Sequence, residues 1–350
     1  MVSTTGREKT YRSSTTLERK PQQMILDSAY DNEYLDQVRK GTLKQGLEIG
    51  CKLDEHLVFK HGTFNVMIGQ ANVGKTDFIM WYLTALTIKH NLTWLIFSSE
   101  NRIGGLKQKI MQYWTGKDLK DMDRDEYDKA RNDMGMFFKF IDTNQLYSAR
   151  DLIEVFEENK QYFDGAVIDP YNSLTKDLTN TNGHEYDYQI ASEIRLFCKK
   201  YRKTVYIIAH AVTESLRRVH AKDHDYAGFP VPPTAADIEG GGKWVNRADD
   251  FVSIHRYTQH PNIWMYTHIH VKKVKETETG GKPTFLDEPV MCKKYYNSFQ
   301  VDGLNPLKQQ HPQETVKRLE KNTAFENSVQ HAKNTQEEWM DKPPENEILF

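Results

Sequence analysis

Short runs of almost purely apolar residues recur at 63–68, 93–99, 137–141, 163–168 and 204–209. They are of strand length and lack polar alternation, which is the pattern of strands buried on both faces of a parallel sheet. Between them the apolar positions change to helical spacing. Phe78, Ile79, Tyr82, Leu83, Leu86 and Ile88 make one such face, residues 103–114 a second, and Leu152, Ile153, Val155 and Phe156 a third; 190–201 reads as a fourth. Strands and helices alternating in this way predict an α/β fold, a mostly parallel central sheet flanked by helices. The charged stretch 117–131 is a connector with helical spacing, and residues 248–256 and 264–271 read as further strands. A hairpin turn is expected at Thr279-Gly280-Gly281-Lys282, with 284–286 returning along it. Two stretches read as surface loops: 171–188, prominent in Asn and Thr, and 216–233, with Gly228 and three prolines.

The flanks differ from this centre. Residues 1–20 read as a disordered, mildly basic arm. Met24, Ile25, Ala29, Tyr34, Leu35 and Val38 could line one face of one or two short helices, docked on a neighbouring subunit or on the chain's own body. The expected division is thus an arm to 20, a helical linker over 21–45, the sheet domain over 46–306 and a polar tail from 307, with a marginal helix near 314–325. Residues 337–350 carry five acids against Lys342 alone and end Ile348-Leu349-Phe350. That is an acidic peptide with a hydrophobic tip, either a docking segment for another protein or an inert tail.

Chemistry collects at the strand ends. Between the first strand and first helix lies Gly69-Gln70-Ala71-Asn72-Val73-Gly74-Lys75-Thr76, a match to the phosphate-binding G-x-x-x-x-G-K-[ST] loop in the strand–loop–helix setting it requires. Backbone N–H groups and the helix dipole converge there on an anion. Lys75 would reach the β- and γ-phosphates of ATP, and Thr76 would place its hydroxyl on Mg²⁺. The strand at 93–99 leads into Glu100, where a carboxylate could orient or deprotonate a water, or else cap the helix that follows. The strand at 163–168 ends in Asp169, the Walker B pattern for holding Mg²⁺, and the strand at 204–209 ends in His210, able to hydrogen-bond a γ-phosphate or to be satisfied locally.

A second cluster lies at Glu239-Gly240-Gly241-Gly242-Lys243-Trp244, followed by Asn246 and Arg247. Three consecutive glycines allow close approach to a ligand, and the cations and aromatic suit a single-stranded nucleic acid backbone; a flexible turn without a ligand is the alternative. The formal net charge of −2 over 350 residues means that any nucleic-acid site is a local patch. Cys51, Cys198 and Cys292 are widely separated, which argues against zinc and against a disulfide framework and fits a reducing cytosol. No apolar run is long enough to cross a membrane, so no membrane partner is expected.

Taken as a set, these pieces resemble the DnaB and Twinkle replicative helicases, RecA-type ATPases. The resemblance rests on the phosphate loop, Ser98-Ser99-Glu100, Val167-Ile168-Asp169-Pro170-Tyr171-Asn172, Ile208-Ala209-His210, Ala236-Asp237-Ile238-Glu239-Gly240-Gly241, Asn246-Arg247-Ala248-Asp249 and Ile254-His255-Arg256, and covers about 46–299. It implies a RecA-like core in a ring homo-oligomer, usually a hexamer, that hydrolyses ATP with Mg²⁺ at subunit interfaces while moving along single-stranded DNA. It implies further that Glu100 activates water, Asp169 and Thr76 hold the metal, His210 senses the γ-phosphate and 239–243 with Arg247 grip DNA. Asp77, next after Thr76, and Arg256 join the nucleotide-binding set. The family's lysine and arginine fingers, spaced K-x-R, fall at Lys273-Val274-Lys275, where lysine replaces the guanidinium fork. The residues ahead of the domain leave no room for a primase or collar, so a stand-alone motor is expected, suited to a compact viral system acting in a host cytoplasm. A RecA-like recombinase and a helicase-loader-type ATPase switch are the alternatives.

Overall fold

The computed structural model describes residues 29–176, 178, 182–238 and 242–307. The expected basic arm, nearly all of the tail, and Glu239, Gly240 and Gly241 lie outside them. The chain divides into two compact units, 1–44 and 45–350. In the first, α1 (Ala29–Lys40) ends at Gly41, whose φ of 65° closes the helix, and Tyr34, Leu35 and Val38 are exposed.

The second unit is built on one nine-stranded sheet. In chain order it contains β1 (Phe64–Gly69), α2 (Lys75–His90), β2 (Trp94–Ser98), α3 (Ile103–Thr115), α4 (Arg124–Phe137), β3 (Phe138–Phe140), α5 (Ala149–Asn159) and β4 (Gly165–Asp169). There follow α6 (Gly183–Tyr201), β5 (Thr204–His210), α7 (Lys243–Arg247), β6 (Asp250–His255), β7 (Tyr266–Val274), β8 (Val290–Tyr295) and β9 (Ser298–Val301). The strand order is β3-β2-β4-β5-β1-β6-β7-β8-β9. The first six are parallel, and β7, β8 and β9 add an antiparallel edge.

Both faces of β1, β2, β4 and β5 are buried, which accounts for their nearly unbroken apolar runs. Val66 and Ile68 of β1 turn to a core shared with α5, α6 and Trp244, while Met67 turns to the opposite core with α2 and α3. On β5, Val205 and Ile207 divide from Tyr206 and Ile208 in the same way. Helix α2 is buried continuously from Phe78 to Thr87, because the sheet covers one side, α3 another, and Phe299 of β9 packs against Trp81 at 5.3 Å between ring centres. The flanking helices start at side-chain caps. Asp123 accepts from Glu126 N at α4, Ser148 from Asp151 N at α5, and Asn182 from Glu185 N at α6.

Two stretches differ from the sequence expectation. Residues 171–188 are not wholly an exposed loop: α6 begins at Gly183, and Tyr171, Tyr186 and Asp187 are buried, with the Tyr171 hydroxyl donating to Asp187 Oδ1 at 2.7 Å. Polar residues spaced to reach one another inside had the composition of a loop. The strand that returns after the 279–282 turn is β8, at 290–295 and not 284–286, because Phe285 and Leu286 project outward, 76% and 77% exposed.

Candidate nucleotide site

Strand register brings the reactive ends together. Gly69 pairs with His210 and Ser98 with Asp169, so β1, β5, β4 and β2 finish at one edge of the sheet. Ligands bind at such carboxyl edges because each strand hands its next residue to the same crevice.

The loop's shape depends on two glycines. A Cβ on Gly69 would sit 2.4 Å from Ile254 O, so only glycine lets β1 run this close to β6 before turning. Gly74 has φ of 90° as it enters α2, a conformation that L side chains rarely adopt. Within the loop, Lys75 folds back: Nζ donates to Gly69 O at 3.0 Å and Gln70 O at 2.8 Å, and lies 3.2 Å from His210 Nδ1. Burial lowers its pKa to about 8, against the opposing pull of Asp169 and Glu100. An ammonium held only by carbonyl oxygens and an imidazole gains strongly from an arriving phosphate.

Thr76 Oγ1 donates to Asp169 Oδ2 at 2.7 Å. Asp169 is buried, which pushes its pKa up; the Thr76 hydrogen bond and Lys75 act in the other direction. A hydroxyl and a carboxylate joined in this way form a hard, all-oxygen pair of the kind that suits Mg²⁺ beside a nucleotide phosphate. His210 Nε2 lies 3.2 Å from both oxygens of Glu100. The backbone of His210 is fixed by its N–H donating to Asn172 Oδ1 at 2.8 Å. Asn172 belongs to the run after the Walker B aspartate, but nothing local to it announces a partner on β5.

Other expected residues are placed differently around this centre. Arg256 leaves the end of β6 and its Nη2 donates to Asn72 O at 3.1 Å, which holds a guanidinium beside the phosphate loop. Asp77 turns away from the anion nest towards Lys294, at 2.9 Å, and Lys109. Burial acts to raise its pKa, and these two lysines hold it below the usual carboxylate value. Asp77 therefore pins the start of α2 to α3 and β8.

Lys273 and Lys275 are not at this edge. β7 is antiparallel to β6, and Val274 is level with Asp250, which pairs with Asn65 at the start of β1. They stand roughly 10 Å or more along the strand from their own phosphate loop, at ~3.3 Å per residue. Lys273 Nζ donates to Val245 O and Ala248 O, both at 2.7 Å, at the end of α7, and Lys275 pairs with Asp249 at 3.4 Å.

The glycine-rich segment ends on α7. Space around Gly242 is open, Lys243 is exposed, and the Arg247 guanidinium stacks 4.4 Å over the Tyr188 ring and bonds to its hydroxyl. Trp244 corrects the sequence reading. It is 1% exposed and packs 4.5 Å from Tyr171 and 6.1 Å from Phe64, so it anchors α7 and offers no face to a base.

The strand order and the phosphate loop match the RecA-like fold seen in DnaB-type ATPase domains. Among solved structures, one isolated ATPase domain matches with a TM-score of 0.62 at 14% identity, covering 78% of this chain and 99% of that one. A DnaB-like replicative helicase, solved in a study of its interactions with primase, matches at 0.61 and 14% identity over 79% of this chain and 67% of that one. The Twinkle homolog protein, chloroplastic/mitochondrial, of Arabidopsis thaliana is 25% identical over 60% of this chain. The match spans 30% of that relative's length. No family model matches the sequence.

Proposed function

We propose that this protein is an ATP-dependent replicative DNA helicase that works as a ring, hexameric by the resemblance, and moves along single-stranded DNA. One observation carries the reading. The groups for phosphoryl transfer converge at one sheet edge, while Lys273 and Lys275, the candidate fingers, stand at the opposite edge, where one chain cannot bring them to its own phosphate loop. A second copy arranged head to tail supplies what the first lacks, and such a heterologous contact closes into a ring when the rotation permits.

Thr76 and Asp169 would hold Mg²⁺, which would neutralise charge on the nucleotide's phosphates. Lys75 exchanges its two carbonyl partners for phosphate oxygens. Glu100 orients a water and takes its proton, and His210, between Glu100 and Lys75, responds to the presence of the terminal phosphate. Lys243 and Arg247 meet the DNA backbone. The acidic tail would dock another replication protein, and the site of action would be a cytoplasm, as expected of a virus-encoded motor.

Strand displacement on a forked duplex with ATP, comparing wild type with Lys75→Ala, tests this. Displacement by wild type alone supports the helicase. Hydrolysis on single-stranded DNA without displacement removes the motor reading and turns attention to strand exchange or to a switch that serves a protein partner.

A further inference from the structure

The second residue of the phosphate loop carries a side chain with no task in phosphate binding. Gln70 is 5% exposed, and its amide is held from three directions. Its Oε1 is 2.9 Å from His255 Nδ1, and its Nε2 donates to Val231 O at 3.4 Å and Ser215 Oγ at 3.5 Å. Ser215 and Val231 belong to opposite arms of the segment between β5 and the glycine-rich stretch, so one amide spans both arms. Val231 O can only accept, which fixes Nε2 on that side and leaves Oε1 for His255. His255 must therefore donate from Nδ1. Burial keeps its ring neutral, so the tautomer is set and Gln70 has one orientation.

The backbone of Gln70 joins this clamp to the phosphate site. Gln70 O is one of the two carbonyls that hold Lys75. When Lys75 turns to a phosphate, Gly69 O keeps a donor in Ala211 N at 3.1 Å, whereas Gln70 O gives up its 2.8 Å bond. Of the two peptides, that of Gln70 is the one with reason to reorient. The far end of the same residue is the clamp. The segment it grips runs on through Val212 N, bonded to Asp237 O at 2.8 Å, to the start of the glycine-rich stretch.

We propose that Gln70 and His255 are positioning residues that set the segment 211–238 according to whether the phosphate loop is occupied. The proposal rests on the nucleotide-binding reading above and needs no DNA to be tested. Amide hydrogen exchange is followed in the full chain with and without Mg²⁺ and a slowly hydrolysed ATP analogue, in wild type, His255→Leu and His255→Gln. In wild type the analogue should change exchange both at 69–76 and at 213–233. In His255→Leu the change at 69–76 persists and that at 213–233 shrinks about fivefold, which corresponds to the loss of one buried hydrogen bond. His255→Gln, which keeps a donor for Gln70, restores it. Should His255→Leu not fold, Ser215→Ala removes one arm of the clamp and is read in the same way. A wild type that responds only at 69–76, or a His255→Leu that responds fully in both places, overturns the link and leaves nucleotide binding intact. No response at 69–76 in wild type removes the nucleotide reading and this proposal with it.

Discussion

Glu100 and His210 meet across the mouth of the phosphate loop, with His210 Nε2 3.2 Å from each carboxylate oxygen. On the other side of the ring, Nδ1 faces the Lys75 ammonium, which can only donate. Nδ1 is therefore the acceptor and Nε2–H points at Glu100. This arrangement orients the carboxylate, as a general base requires. Glu100→Gln should lower turnover by about 10²- to 10⁴-fold, with the loss in kcat and not in KM. Steady-state ATP hydrolysis checks it, and a loss confined to KM would assign Glu100 to binding.

Lys75 makes nucleotide affinity dependent on pH. Its pKa in the free protein is about 8, and a phosphate binds only the charged form strongly. Above pH 8, binding must draw a proton from solution. Affinity for Mg²⁺-ATP should therefore fall by about tenfold between pH 7 and pH 9 as free Lys75 discharges. The free protein follows the opposite trend. Its folded pKa is lowered from 10.5, so the unfolded chain binds more protons between about 8 and 10.5 and stability rises with pH there. Equilibrium titration of a fluorescent nucleotide across this range reads the affinity, and a flat profile would contradict the assignment.

Asp169 pairs a functional gain with a stability cost. Its carboxylate is buried beside Thr76, and burial disfavours its charge. Asp169→Asn should raise the melting temperature of the free protein by a few degrees and abolish the further rise that Mg²⁺-ADP gives wild type. Thermal melts with and without metal and nucleotide separate the two effects. A variant still stabilised by Mg²⁺-ADP would remove Asp169 from the metal site.

His268 is an expense with no visible return. It is 1% exposed, and neither ring nitrogen has a hydrogen-bond partner among the described residues. Burial lowers its pKa to about 4. Between pH 6.5 and 4 the unfolded chain takes a proton that the folded chain refuses, so stability is lost as pH falls. His268→Leu should gain about 1–2 kcal/mol at pH 7 and about 2 kcal/mol more at pH 5. Urea unfolding at both values reads this, and an equal gain at both would show that His268 is not the titrating group.

Lys243 and Arg247 offer a check on the DNA surface. The stack on Tyr188 holds the Arg247 guanidinium in one place, and Lys243 is exposed at the start of the same helix. Lys243→Ala with Arg247→Ala should weaken single-strand binding and reduce the slope of log affinity against log salt by about one to two. Binding titrations at several salt concentrations decide, and an unchanged slope would place the DNA elsewhere.

Much of this was legible along the chain because its causes are local. A strand buried on both faces is mostly apolar, as β1, β4 and β5 are apart from Asn65 of β1, and its apolar run stops where it leaves the sheet. Glu100, Asp169 and His210 could therefore be picked out by where the apolar runs stopped. The phosphate loop was readable for a related reason, since its glycines and lysine answer to a backbone shape contained within eight residues.

Other features had no local sign. Trp244 reads as an aromatic beside two cations, yet it turns inward because Phe64 and Tyr171, far away in the chain, leave a gap of its size. His255 meets Gln70 across 185 residues, and Lys273 reaches back to cap α7. A polar side chain has the same composition and spacing whether water or a distant amide satisfies it. The sequence alone therefore determined which residues lie at the strand ends. Which of those ends become neighbours, and which polar groups answer one another, followed only from the order and direction in which the strands pair.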